Sequence, residues 1–155
     1  MTSTSEHVSR ETFASRSNVL LALRMSGWVL GLPFAKRLVP IERLARMMWR
    51  DGARERLPQR ELFTMRLACR LTRFSGSNCL DRSLILYRYL AGAGASPTLV
   101  LGIGKEGRYG HAWILVDGVA VADSDAELER YEGIVAFGAW GRRVSAVAPT
   151  PRISR

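Results

Sequence analysis

Three side chains carry most of the chemistry this sequence offers: a thiol at Cys79, an imidazole at His111 and a carboxylate at Asp123. A thiol that gives its proton to an imidazole becomes a nucleophile toward acyl carbon. A carboxylate that holds the ring fixes its tautomer and supports its positive charge. The product of attack is a thioester, which water resolves. Cys79 comes directly after Ser75-Gly-Ser-Asn78, a loop able to supply a helix N-cap, and opens a segment whose apolar residues Leu80, Leu84, Tyr87 and either Leu90 or Ala91 recur with helical period. The unpaired N–H groups and partial positive charge of a helix N-terminus favour a thiolate and can hold a developing oxyanion. Asn78 and Trp113, which stand beside the nucleophile and near the base, are expected in the substrate or oxyanion neighbourhood. Asp125 is the fallback acid if its strand slips by two residues, and Asp117 reads as a turn residue.

The base must be delivered by a strand. His111-Ala-Trp-Ile-Leu-Val116 alternates, with His111, Trp113 and Leu115 on one face. Asp117-Gly118 and a second strand over Val119–Asp123 come next. A two-residue turn at Asp117-Gly118 pairs Val116 with Val119 and puts Asp123 on the face opposite His111. A three-residue loop, with Gly118 left-handed in a glycine bulge, instead pairs Leu115 with Val119 and His111 with Asp123. The second register is the one expected, because it brings the acid to the base.

Period and punctuation give the remaining elements. Helices are predicted over about 19–31, ended by Gly31-Leu-Pro33, over about 40–52, and over about 58–73. In the third, Leu62, Met65 and Cys69 share a face, making Cys69 a small core residue. Gly92 and Gly94 end the Cys79 helix, and Thr98–Ile103, Gly110–Val116 and Val119–Asp123 read as strands. Helices first and then an antiparallel sheet give an α+β fold. The expected organisation is a polar, loose tail over 1–18, one domain over 19–146 and a second tail over 147–155.

Composition narrows the classes further. Two cysteines, ten residues apart, make neither a disulfide framework nor, without clustered histidines, a zinc site, so no metal and no cofactor is expected. Free thiols point to a reducing, cytoplasmic setting. The net charge is +9, carried by 21 Arg and 2 Lys, and between Lys36 and Arg73 there are 11 basic against 4 acidic residues. Such a stretch suits an acidic peptide, a membrane surface or nucleic acid, or is simply a set of solvated helix faces. The apolar run from Val19 to Phe34 is short for a spanning helix and is read as a core or surface helix, with peripheral membrane contact through 19–34 the lesser reading. Gly102-Ile-Gly104-Lys-Glu-Gly107 matches a dinucleotide fingerprint. The element after it is another strand, where that motif requires a helix, so it is set aside.

The Asn-Cys-Leu-Asp-Arg-Ser-Leu helix start, the Leu-Val-Leu-Gly-Ile-Gly strand and the Gly-His-Ala-Trp-Ile-Leu-Val-Asp-Gly segment resemble the transglutaminase-like leader peptidases of lasso-peptide biosynthesis. The similarity covers roughly residues 19–135, with 32 residues from Cys79 to His111 and 12 more to Asp123. The resemblance implies a transglutaminase-like, papain-like core with a Cys-His-Asp triad. Its job would be removing the leader from a ribosomally made lasso-peptide precursor. It also implies partners: the leader region of that precursor, a separate leader-recognition protein, since the chain is short for a fused one, and an ATP-dependent lasso cyclase. No nucleic acid is expected. Many members carry an acid two positions after the Trp, where this chain has Leu115.

Overall fold

A computed structural model describes residues 4–52 and 55–145; residues 1–3 and the expected tail over 147–155 lie outside the described residues. Four helices come first: α1 (Thr4–Leu38), α2 (Ile41–Met48), α3 (Pro58–Phe74) and α4 (Cys79–Gly92). The strands β1 (Pro97–Gly104), β2 (Gly110–Val116) and β3 (Val119–Val121) are next. Then come a short helix α5 (Asp125–Leu128), strand β4 (Tyr131–Phe137), a 3-10 turn at Ala139–Gly141 and a two-residue strand β5 (Arg143–Val144). All strand pairs are antiparallel, in the order β3-β2-β1-β4-β5. The fold is α+β, as the order of periods in the sequence requires.

Helix α4 is the hub. Leu84, Ile85, Leu86, Tyr87 and Leu90 are buried, and they join Leu99 of β1, Ile114 and Val116 of β2, and Phe137 of β4 in the main core. On the sheet's other face Val100, Trp113, Leu115, Ala120, Leu128 and Ala136 form a smaller cluster. The alternation along β2 sorts its side chains between the two, as a period of two must in a sheet covered on both faces. At the bulge after Leu101, the Trp113 ring lies so close to Gly102 that a Cβ there would come within 2.6 Å of it. Gly102 and Gly104 are therefore strand residues in a hairpin, and no phosphate-binding helix comes after them.

Helix α1 departs from the sequence reading at both ends. It starts at Thr4, so residues 4–18 are helical and not a loose tail, and it continues through Pro33 to Leu38. A proline inside a helix removes one N–H and costs about 3 kcal/mol. Here that cost is met by burial on both sides of it, since Met25, Val29 and Leu32 enter the core and Ala35 packs against it. As a result, the stretch Arg16–Leu38 is long and apolar enough to cross a membrane by length and composition alone, although one face is committed to the core. Helix α2 ends at Met48, short of the expected 52, and buries Leu44, Ala45 and Met48, leaving Met47 exposed.

In α3 the buried face is Glu61, Thr64, Ala68 and Thr72, not Leu62, Met65 and Cys69. A face this polar escapes any reading by hydrophobic period. Glu61 takes two hydrogen bonds from Arg56, and the Thr72 hydroxyl donates to the Ala68 carbonyl at 2.8 Å, so these groups are buried with partners. Cys69 is half-buried instead of core.

Candidate active site

The nucleophile's position is set by capping. Asn78 is the N-cap of α4: its side chain accepts from the Asp81 N–H at 3.0 Å, and the Asp81 carboxylate returns the bond to the Asn78 N–H. This is a capping box, and it places Cys79 at the first helical position. Asp81 is 3% exposed and is matched by Lys36 of α1 at 2.6 Å, which ties the end of α1 to the first turn of α4. One turn on, the Ser83 hydroxyl donates to the Ala112 carbonyl at 2.8 Å, both groups buried. That bond fixes the Cys79 helix against the strand that carries His111.

Strand β2 begins at Gly110, so His111 is its second residue. His111 Nε2 lies 3.3 Å from Asp123 Oδ1, and the Cys79 thiol is near enough to the ring for each to shift the other's titration. The Tyr131 ring is stacked on the imidazole, centroids 4.6 Å apart, and Trp113 is stacked at 6.0 Å. The three residues expected to act together are thus gathered around one imidazole.

They are brought together in the two-residue-turn register, not in the expected three-residue one. β2 and β3 pair Val116 with Val119, Leu115 with Ala120 and Ile114 with Val121. Asp117 and Gly118 both have positive φ, 53° and 78°, the signature of a two-residue type I′ turn. Asp-Gly satisfies that turn directly, and Arg56 pairs with the Asp117 carboxylate. Continued in this register, Asp123 would oppose Ala112 and face away from the imidazole. Instead β3 stops at Val121, and Ala122 takes a left-handed conformation, φ 68°, which turns the chain and brings Asp123 back to His111. The side chain of Asp123 is only 2% exposed.

Arg82 is a site residue that the sequence reading misses. Its guanidinium donates to Asp123 Oδ1 at 2.5 Å, the same oxygen that faces His111. Being three residues after Cys79, it lies on the same side of α4, and that spacing is the available signal. Ser83, four residues after Cys79, carries the same signal. Tyr131 carries none, since no strand is expected there. Of the other expected site residues, Asn78 is occupied as the cap at the cleft's edge, and Trp113 is buried beneath the histidine instead of lining the cleft. Asp125 opens α5, after Ser124 as its N-cap. Leu115, where the resembling peptidases often carry an acid, is buried in the smaller cluster.

Electrostatics favour the charged pair. The His111 bond first, and the Ala112 and Leu80 backbone groups after it, pull the Cys79 thiol below its ordinary value, against the opposing effect of burial. The Asp123 bond, and then the Cys79 bond, raise His111 to about 9. Cys69 moves the other way, pushed up by burial. Both shifts favour a thiolate beside an imidazolium. The N–H groups of Cys79 and Leu80, at the first two helical positions, have no intrahelical backbone acceptor, which makes them the candidate donors to an oxyanion. A cleft of about 490 Å³ opens on this group, lined among others by Cys79, His111, Arg82, Cys69 and Glu127. His111, Asp123 and Glu127 also bring three ligand atoms within 4.8 Å of one another. Two of these residues are already engaged with each other, and Asp123 with Arg82, so a cation there would have to displace the guanidinium.

The family model described as the transglutaminase-like superfamily matches residues 20–136. No curated protein and no solved structure matches this chain.

Proposed function

The chain belongs to the transglutaminase-like superfamily, and from that premise we propose that it is a cysteine peptidase that removes the leader from a ribosomally made lasso-peptide precursor. The observation that carries the chemistry is the chain of contacts from Cys79 through His111 to Asp123 at the floor of an open cleft. The family includes peptidases and acyltransferases that share this chemistry up to the thioester. The choice of leader removal rests on the three motif segments that resemble lasso leader peptidases.

In the proposed mechanism the Cys79 thiolate adds to the scissile carbonyl carbon, and the carbonyl oxygen takes the negative charge toward the Cys79 and Leu80 N–H groups. His111 gives its proton to the leaving amine, which departs as the free N-terminus of the core peptide. The leader remains as a thioester on Cys79. His111, now neutral, takes a proton from water as it attacks the thioester, and the thiolate is released. Asp123, held by Arg82, keeps Nε2 bonded throughout so that Nδ1 faces the sulfur.

A separate recognition protein would deliver the leader, and the freed amine would go to an ATP-dependent cyclase. The test is to incubate the chain with a candidate precursor and recognition protein, with and without an added primary amine, and weigh the products. Leader and core masses that are unaffected by amine support hydrolysis. An amine adduct of the leader would instead assign acyl transfer, and cleavage by the Cys79→Ala chain would refute the mechanism.

A further inference from the structure

The walls of the cleft are unlike in charge, and the difference has no internal explanation. One wall is α3, which contributes Arg70 and Arg73. The other arginines near carboxylates are committed: Arg82 to Asp123, Arg56 to Glu61 and Asp117, Arg143 to Glu42. Arg70 and Arg73 pair with no carboxylate among the described residues, and both are exposed. They sit three positions apart, so their side chains are neighbours on one helix face and repel each other. Between them, Thr72 is buried and its hydroxyl bonds back to Ala68, so the wall that carries them is anchored. The cleft is also lined by Glu127 of α5, whose carboxylate lies within 4.8 Å of the His111 ring nitrogen and Asp123.

We infer that Arg70 and Arg73 form a carboxylate-binding subsite beside Cys79, and that the peptide processed there carries an Asp or Glu side chain close to the scissile bond, on the α3 side. This deepens the reading of the site as a peptidase and rests on it for the word peptide. Two guanidiniums with free donors offer the fork geometry that a carboxylate accepts in a bidentate manner. An acid bound there relieves the repulsion that the fold leaves uncompensated. An acid directed at Glu127 instead is repelled, so the cleft selects for the position of the acid as well as for its presence.

Two measurements test this separately from the peptidase reading. The first uses Cys79 alone: its alkylation rate with anionic iodoacetate is divided by that with neutral iodoacetamide. The ratio is compared between the unmodified chain, R70Q/R73Q, and the control R108Q/R130Q, which removes two charges outside the cleft. The subsite predicts that the ratio falls by about threefold or more in R70Q/R73Q and less in the control. Equal falls in both would mean a general field and overturn it.

The second uses a randomised synthetic peptide library read by mass spectrometry. An acid enriched about tenfold or more at one position on one side of the cut is expected, and R70E/R73E should exchange that preference for Lys or Arg. Cleavage with no positional preference, or with a preference that survives the charge reversal, would sink the subsite. No cleavage of any member, alongside an Arg70- and Arg73-dependent alkylation ratio, would count against the peptidase reading and sustain the anion site.

Discussion

Replacing Asp123 by Asn removes one negative charge with little change of shape, and its effect can be worked from the site. The rise of His111 from 6.5 to about 9 corresponds to about 3 kcal/mol of preference for the charged ring, and the Asp123 bond is the largest cause of it. The ring is only 9% exposed, so solvent screening takes little away. If Asp123 supplies half or more, Asp123→Asn lowers the alkaline limit of the imidazolium by about one pH unit or more. The same change acts on the sulfur, because His111 is the first cause of its lowered value. With less imidazolium at neutral pH, the thiolate forms closer to the ordinary thiol range. The window in which both charges coexist therefore narrows from both sides. The assay needs no substrate: Cys79 alkylation by iodoacetamide is followed against pH, with Cys69, whose thiol is pushed up, as the slow internal reference. The midpoint for Cys79 should rise in Asp123→Asn, and turnover of a cleaved peptide should fall by about 100-fold or more as orientation is lost. Superimposable alkylation profiles for the two proteins would refute the reasoning, since the carboxylate would then have no hold on the pair.

Arg82→Met keeps much of the side-chain bulk but leaves Asp123 with His111 as its remaining partner. It should cost about 1–3 kcal/mol in a urea titration and reduce kcat more than it raises KM. Ala122→Gly should be neutral or stabilising by up to about 1 kcal/mol, because glycine takes the left-handed conformation freely. Ala122→Val should destabilise by about 1–2 kcal/mol and lower activity as Asp123 swings away, which thermal midpoints and peptide turnover would register together. His111 also makes stability depend on pH. Its folded value is raised, so its contribution is complete below about 6.5 and lost as pH rises through about 9. In a Cys79→Ala background, which removes the sulfur's opposite titration, adding His111→Gln should cost about 1–2 kcal/mol at pH 6 and much less at pH 9.5 in denaturant titrations.

Much of this is legible in the sequence because the informative signals are local. A Gly/Ser loop, an Asn cap and an apolar helical period fix the start of α4 to the residue, and strict alternation fixes β2 over Gly110–Val116. Both signals depend on neighbours in the chain, so no tertiary contact is needed to read them. The length of α1 is illegible for the opposite reason. Gly31 and Pro33 are genuine local breakers, and only the burial of Leu32 and Val29 against other elements overrides them. The inner face of α3 is hidden because Glu61, Thr64 and Thr72 read as solvent-facing until the partners of Glu61 and Thr72, namely Arg56 and a carbonyl one turn back, are in place. Arg82 escapes because a charge on a helix is usually solvated, and only the folded position of Asp123 gives it a task.

The register of β3 marks the limit of such reading. From sequence alone the hairpin must do two things at once, close over Asp117-Gly118 and carry Asp123 to His111, and a three-residue loop is the regular structure that does both. The protein separates them. The turn takes the form that Asp-Gly favours most, with both residues at positive φ, and the resulting mismatch is corrected just beyond β3 by one left-handed alanine. A left-handed conformation costs an alanine about 1 kcal/mol, too little to leave a mark in composition or period and small beside a buried, doubly bonded carboxylate. The acid's arrival at the base thus depends on a backbone choice that strand alternation cannot encode. Sequences that place glycine or asparagine at the equivalent of Ala122 would satisfy the same geometry with less strain, and a β-branched residue there would demand a different hairpin.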